Sequence, residues 1–213
     1  MIGRIRSIKP NCCKLIFICW LLAGCKSYDE KKADLPDTPQ RGTIRVSADE
    51  SFKPVIDQMV MVYEGNNPGT KINVDYKPEA ECLKDLLNDS VRMIIATREV
   101  SEQERDAVID SLGIGPNSLT IARDGISVIV HPSEEDSLFT MSEIKQILTG
   151  TYNKKLIPVF DGLKATSTVR FIIDSVLRGD SLTPTAMAAR SSEAVIDYVS
   201  KNPGVIGFIG VSW

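Results

Sequence analysis

Between Thr43 and Gly113 the chain alternates short β-branched runs with helical patterns, and that alternation restricts the fold more than any other feature of the sequence. TIRVSA (43–48) predicts a strand and SFKPVIDQMVMVYEG (51–65) a helix. Ser51 suits its N-cap, Pro54 its first turn and Gly65 its end, while Val55, Met59 and Val62 recur at near-helical spacing. KINVDY (71–76), EAECLKDLLND (79–89) and VRMIIA (91–96) continue as strand, helix and strand. Ser101 with Glu104 makes a capping box for the helix SEQERDAVIDSLG (101–113), which Gly113 closes. Such a βαβαβα order implies a mainly parallel sheet covered by helices, with ligand sites outside the carboxyl ends of the strands.

The second half predicts strands at SLTIA (118–122) and ISVIVH (126–131), separated by Arg123, Asp124 and Gly125. A helix around 141–148 follows, ending at Gly150, then a strand LIPVF (156–160), helices TVRFIIDSVLRG (168–179) and SEAVIDYVSKN (192–202), and an apolar run GVIGFIGV (204–211). The strand pair joined by Arg123 to Gly125 is a place where a chain crosses between lobes.

The N-terminus predicts export. Arg4, Arg6, Lys9 and Lys14 form a basic leader without acids, and the apolar run that follows them is too short for a spanning helix of ~20 residues. Leu22, Ala23, Gly24 and Cys25 resemble the lipobox of bacterial lipoproteins, which implies cleavage after residue 24 and a diacylglycerol on Cys25. Acids soon after that cysteine, at Asp29 and Glu30, faintly resemble surface-export signals of some Gram-negative lipoproteins, leaving periplasmic and outer-surface orientations open within the cell envelope. Residues 25–41 are polar and Pro-containing, and read as a flexible tether to the membrane. Lobes are then expected at 42–122 and 123–213.

The leader holds four of the 25 basic residues and none of the 28 acidic ones, so the remainder stands at −7. That balance disfavours nucleic acid but not a small anion, which local amides and dipoles bind. Of five cysteines only Cys82 remains in the exported domain, so no intrachain disulfide is possible there; its helical setting predicts a small buried group rather than a nucleophile. His131, the sole histidine, precedes Pro132 at a strand end and reads as a turn residue. No P-loop and no G-x-G-x-x-G motif occurs, one histidine makes no multi-His metal site, and His131 reads as a turn residue rather than a triad base, so no cofactor, no metal and no enzyme is expected.

VSADESFKPVI, MIIATREVSEQE, IARDGISVIVHP and the pair TSTVRFIIDSVL and NPGVIGFIG together resemble the phosphate-binding proteins of bacterial phosphate ABC transporters and their periplasmic-binding-protein relatives. The last pair is similar to that family's S-G-T helix start and N-P-G-A-I-G-Y segment. The resemblance implies an α/β fold of two lobes, the type II periplasmic-binding-protein arrangement, with mixed sheets flanked by helices and a ligand cleft between lobes. It also implies a monomer that hands phosphate to a membrane permease, its ATPase being a separate chain. In that family the last segment leads back into further elements of the first lobe, so a chain ending at Trp213 is expected to be either shortened or a minimal version.

Chemistry supports an anion cradle independently. A buried tetrahedral oxyanion needs inward-pointing neutral donors, which helix N-termini and hydroxyls supply. The candidates are Ser51 and Phe52 after the first strand, Thr97 and Arg98 after VRMIIA, and Thr166, Ser167 and Thr168 opening the helix that carries Arg170. Arg170 has an alternative partner in Asp174 one turn on. Two departures from the family stand out: Ser167 occupies its glycine position, and Thr97 and Arg98 replace its Asp. Phosphate carries a proton where sulfate does not, so selectivity needs an acceptor; Asp49, Glu50, Glu79 and Glu81 are the nearby choices. Another oxyanion such as sulfate or molybdate, a sensor or adhesion role, and a hydrolase remain alternatives.

Overall fold

In a computed structural model, residues 37–164 and 166–213 are described. The leader, Cys25 and most of the expected tether lie outside them. Strand β1 (Arg41–Asp49) pairs in parallel with β2 (Gly69–Lys77) on one side and with β3 (Met93–Ile95) on the other, giving a three-stranded sheet. A 3-10 turn (Glu50–Phe52) leads from β1 into helix α1 (Lys53–Asn66); α2 (Glu79–Leu87) and α3 (Glu102–Leu112) follow β2 and β3. The expected parallel βαβαβα order is present, because a helix between successive strands returns the chain in the same direction, so β2 and β3 both pair with β1 in parallel.

A second sheet has the order β4-β7-β5-β6, from β4 (Ile126–Val130), β5 (Ile157–Phe160), β6 (Met187–Ala188) and β7 (Val205–Gly210). β7 runs antiparallel to β4 and parallel to β5, so this sheet is mixed. Helix α4 (Met141–Thr149) and the helix α5 (Ser167–Phe171) cover one face, where Phe160 and Phe208 stack with ring centroids 5.0 Å apart. Helix α6 (Ser192–Lys201) covers the other with Val195 and Val199. All residues of β7 are buried, as a central strand clad on both faces requires. Among the described residues no helix is long and apolar enough to cross a membrane.

Three expectations are corrected. SLTIA forms no strand: Leu119 is 84 % exposed and Ile121 64 %, because among the described residues no strand pairs with the segment to accept its backbone bonds. The predicted helix 168–179 starts at Ser167 and widens after Phe171 into a π-helix (Ile172–Leu177), ending at Arg178 in the left-handed region. The helix expected over 51–65 starts later, at Lys53 with Phe52 rather than Ser51 at its N-cap; its Val55, Met59 and Val62 are exposed and Ile56 is buried.

Cys82, on α2, is a free cysteine and fully buried, and burial pushes its thiol up to about 12. His131 closes a turn: its Nδ1 accepts from the Ser133 amide at 3.1 Å and lies 2.7 Å from the Ser133 hydroxyl.

Candidate functional site

The carboxyl ends of β1 and β5 face each other, and the helix starts that follow them carry the candidate hydroxyls. Asp49 ends β1 and its Oδ1 accepts from the Ser51 amide at 2.9 Å, which holds the 3-10 turn in place. Ser51 is thereby buried and its hydroxyl lies 3.2 Å from that of Ser167, at the start of α5. Thr166 caps α5, its hydroxyl accepting from the Val169 amide at 3.4 Å. Thr166, Ser167 and Thr168 are all buried. Of the expected cradle, the structure therefore brings the first and third groups into contact. Phe52 stands at the N-cap of α1 and makes no side-chain cap bond.

The second group is engaged differently. Glu79, the first residue of α2, accepts from the Thr97 amide at 2.9 Å and from the Thr97 hydroxyl. The same carboxylate accepts from Arg170 Nε at 2.7 Å and Nη2 at 3.4 Å, and Arg170 also donates to Thr97 Oγ1 at 2.5 Å. Donors suited to an oxyanion do converge here, but they hold the chain's own carboxylate. Although burial opposes ionisation of Glu79, the bonds from Arg170 and Thr97 outweigh it and keep its pKa below the ordinary value. The expected alternative partner Asp174 lies at a looser 3.8 Å from Arg170.

Arg98 is corrected as an open anion ligand. Its guanidinium makes two 2.8 Å bonds to the Glu104 carboxylate and a third to the Glu99 carbonyl. Glu104 also completes the α3 capping box with Ser101, and the guanidinium holds its pKa at about 2. The cap and the ion pair share one carboxylate, so Arg98 is fixed at the start of α3.

Among the four candidate acceptors the structure distinguishes clearly. Glu79 is spent on Arg170 and Thr97, and Glu81 is exposed. Glu50 reaches the other sheet, accepting from the Ser192 amide at 3.2 Å and hydroxyl at 3.0 Å at the start of α6. Asp49 alone keeps a buried oxygen, Oδ2, with no hydrogen-bond partner, although the Ser51 and Ser167 hydroxyls flank the carboxyl. Burial outweighs those hydroxyls and raises its pKa.

Sequence reasoning missed one residue. Asp161, directly after β5, is 9 % exposed and its Oδ1 is likewise buried without a partner. Burial, with the charges of Asp49 and Glu50, pushes its carboxyl up to about 6. The available signal was its position at a strand's carboxyl end, five residues before the hydroxyl cluster.

An open groove of about 380 Å³ adjoins these groups, lined by Glu79, Arg98, Leu163, Lys164, Thr166 and Arg170 among others. It stops short of Asp49, Ser51, Ser167 and Asp161, where the two serine hydroxyls meet. The last residues of the chain brace this contact from behind: the Ser212 hydroxyl and Trp213 Nε1 donate to the Ser51 carbonyl at 3.0 and 3.1 Å.

Comparison with known proteins fits this geometry. The phosphate-binding protein PstS of Borreliella burgdorferi is 22 % identical over 130 residues, and the match spans 61 % of this chain but only 40 % of that protein. Among solved structures, a protein from Clostridium perfringens described as a phosphate ABC transporter substrate-binding protein, with bound phosphate, superposes with a TM-score of 0.70 at 21 % identity. That alignment covers 81 % of this chain and 72 % of the other. The sulfate-bound regulatory domain of an OxyR2 variant from Vibrio vulnificus shares the fold at a TM-score of 0.60 and 10 % identity, over 84 % of this chain and 76 % of that one. A family model described as a PBP superfamily domain matches residues 35–213, and with the two sheets and the strand-end cluster in place the chain belongs to the PBP superfamily.

Proposed function

We propose that this protein is a lipid-anchored substrate-binding protein, held to the cell envelope through Cys25, that captures phosphate between its two sheets for an ABC transporter permease. The observation that carries the reading is the Asp49 Oδ2 atom, a buried acceptor without a partner, beside the Ser51 and Ser167 hydroxyls. The two serine hydroxyls donate to the bare oxygens of an oxyanion, while the carboxylate accepts the hydrogen that phosphate carries and sulfate lacks. Phosphate binding by the relatives named above supports the choice of ligand. The serine contact closes the seat, so entry requires the two sheets to part as lobes, with the irregular segment around Arg123 to Gly125 as the hinge.

Isothermal titration of the full chain in phosphate-free buffer tests this, with phosphate and then sulfate. Micromolar or tighter phosphate binding, weakened about tenfold or more by Ser167→Ala, is the expected result. Glu79→Gln frees the Arg170 guanidinium from its ion pair and is expected to tighten binding by a similar factor. A folded protein that gives no heat with either anion overturns the reading.

A further inference from the structure

The two orphaned acceptors are placed alike, one on each sheet. Asp49 ends β1 and is 2 % exposed; Asp161 follows β5 and is 9 % exposed. Each precedes a hydroxyl-bearing helix start, Ser51 for the first and Thr166 for the second, and each keeps one buried oxygen unbonded. The Ser51, Ser167 and Thr166 hydroxyls lie near these carboxyls but leave Asp49 Oδ2 and Asp161 Oδ1 buried without a hydrogen-bond partner, which is costly, and a ligand that supplies two donors removes both penalties.

The charges around them point the same way. Asp161 is faced by Asp49 and Glu50 from the end of β1, and Asp49 by Glu79 and Cys82 from α2 as well. The cations in reach are already neutralised, Arg170 by Glu79 and Arg98 by Glu104; Lys164 stands exposed on the groove wall, where solvent screens it. A fully ionised oxyanion would enter a cleft whose buried, unpaired charged groups are the acids Asp49 and Asp161. A bare cation fits no better: among the described residues no group of three or more His, Cys, Asp or Glu is arranged to hold a metal ion.

We infer that the cleft selects its oxyanion in a doubly protonated, singly charged form, the ligand donating one hydrogen to Asp49 of the first sheet and one to Asp161 of the second. This rests on the phosphate reading and narrows it to the dihydrogen ion. Its remaining two oxygens take the Ser51 and Ser167 hydroxyls. The dianion has one hydrogen for two acceptors, and sulfate has none, so each leaves a buried carboxylate unsatisfied.

The test is titration of the full chain with phosphate on either side of its second ionisation, which lies somewhat above the ~6 of a phosphomonoester. Sulfate in the same buffers reads the protein's own titrating groups, since sulfate keeps one charge state throughout. Phosphate affinity is expected to fall about tenfold per pH unit above that ionisation, relative to the sulfate profile, with sulfate at least ~100-fold weaker on the acid side. In Asp161→Asn the amide donates to the dianion, so the phosphate profile flattens while binding persists. Asp49→Asn, should the first variant misfold, is expected to flatten it in the same way. Phosphate binding that is independent of pH, or that sulfate matches, overturns the inference and leaves the phosphate reading intact; no phosphate binding at any pH overturns both.

Discussion

Asp161 shows how a single carboxyl couples the site to stability. A carboxyl whose folded pKa exceeds its unfolded value binds protons on folding, so stability falls as pH climbs from the ordinary 3.8 through about 6 and stays reduced above that. Asp161→Asn removes this dependence and is expected to raise stability at neutral pH by about 2 to 3 kcal/mol, with no gain below the unfolded pKa. Urea unfolding of the variant and the parent at acid and neutral pH checks it; an equal difference at both would contradict the assignment. At this scale the sequence made the hydroxyls Ser51, Thr166 and Ser167 legible, because they follow strand patterns and start helices. It could not reveal that Glu79 takes Arg170, since those residues are separated by 91 positions and each also has charged neighbours close in sequence. The same holds for Glu50, whose partner Ser192 is 142 positions away.

Local chemistry decided most element boundaries. The capping boxes of α3 (Ser101 with Glu104) and α4 (Thr140 with Glu143) fix two helix starts, and Gly113 and Gly150 end those helices with φ of 70° and 77°. These two glycines separate backbone strain from crowding. A Cβ at Gly113 meets open space, whereas at Gly150 it comes within 2.9 Å of Thr183 Oγ1. Gly113→Ala is expected to cost about 1 kcal/mol from the left-handed backbone alone, and Gly150→Ala about 2 kcal/mol or more because Thr183 must also move. Equal denaturation midpoints for the two variants would show that Thr183 yields freely. Elements that depend on distant neighbours were not legible. SLTIA has strand composition but no strand beside it, and the two-residue β6 has almost no pattern of its own yet pairs with β5. The stripe of α1 shows the limit of periodicity: spacing identified the helix, while the face it buries depends on what packs against it.

For the whole molecule, several of the contacts that hold one sheet to the other gather at a single turn, with the Arg170 bonds to Glu79 and Thr97 as a separate bridge. Glu50 binds the start of α6, Ser51 meets Ser167, and the Ser51 carbonyl accepts from Ser212 and Trp213 beyond the end of β7. The Glu50 pKa is raised, chiefly by burial and against the bonds from Ser192, so part of its hold depends on a charge that desolvation opposes. Parting of the sheets at this turn must therefore disturb the Trp213 indole, whose Nε1 loses its 3.1 Å bond when Ser51 moves away. The chain has a second tryptophan, Trp20, so a Trp20→Phe background isolates the signal. In that background phosphate is expected to change Trp213 emission with the same midpoint as the binding isotherm. Glu50→Gln, which replaces a charge-assisted bond to Ser192 by a neutral one, is expected to red-shift the ligand-free spectrum, and phosphate to reverse the shift. Emission that ignores both phosphate and the substitution would mean that the 3-10 turn stays seated against β7 while ligand binds, and that the sheets do not part there.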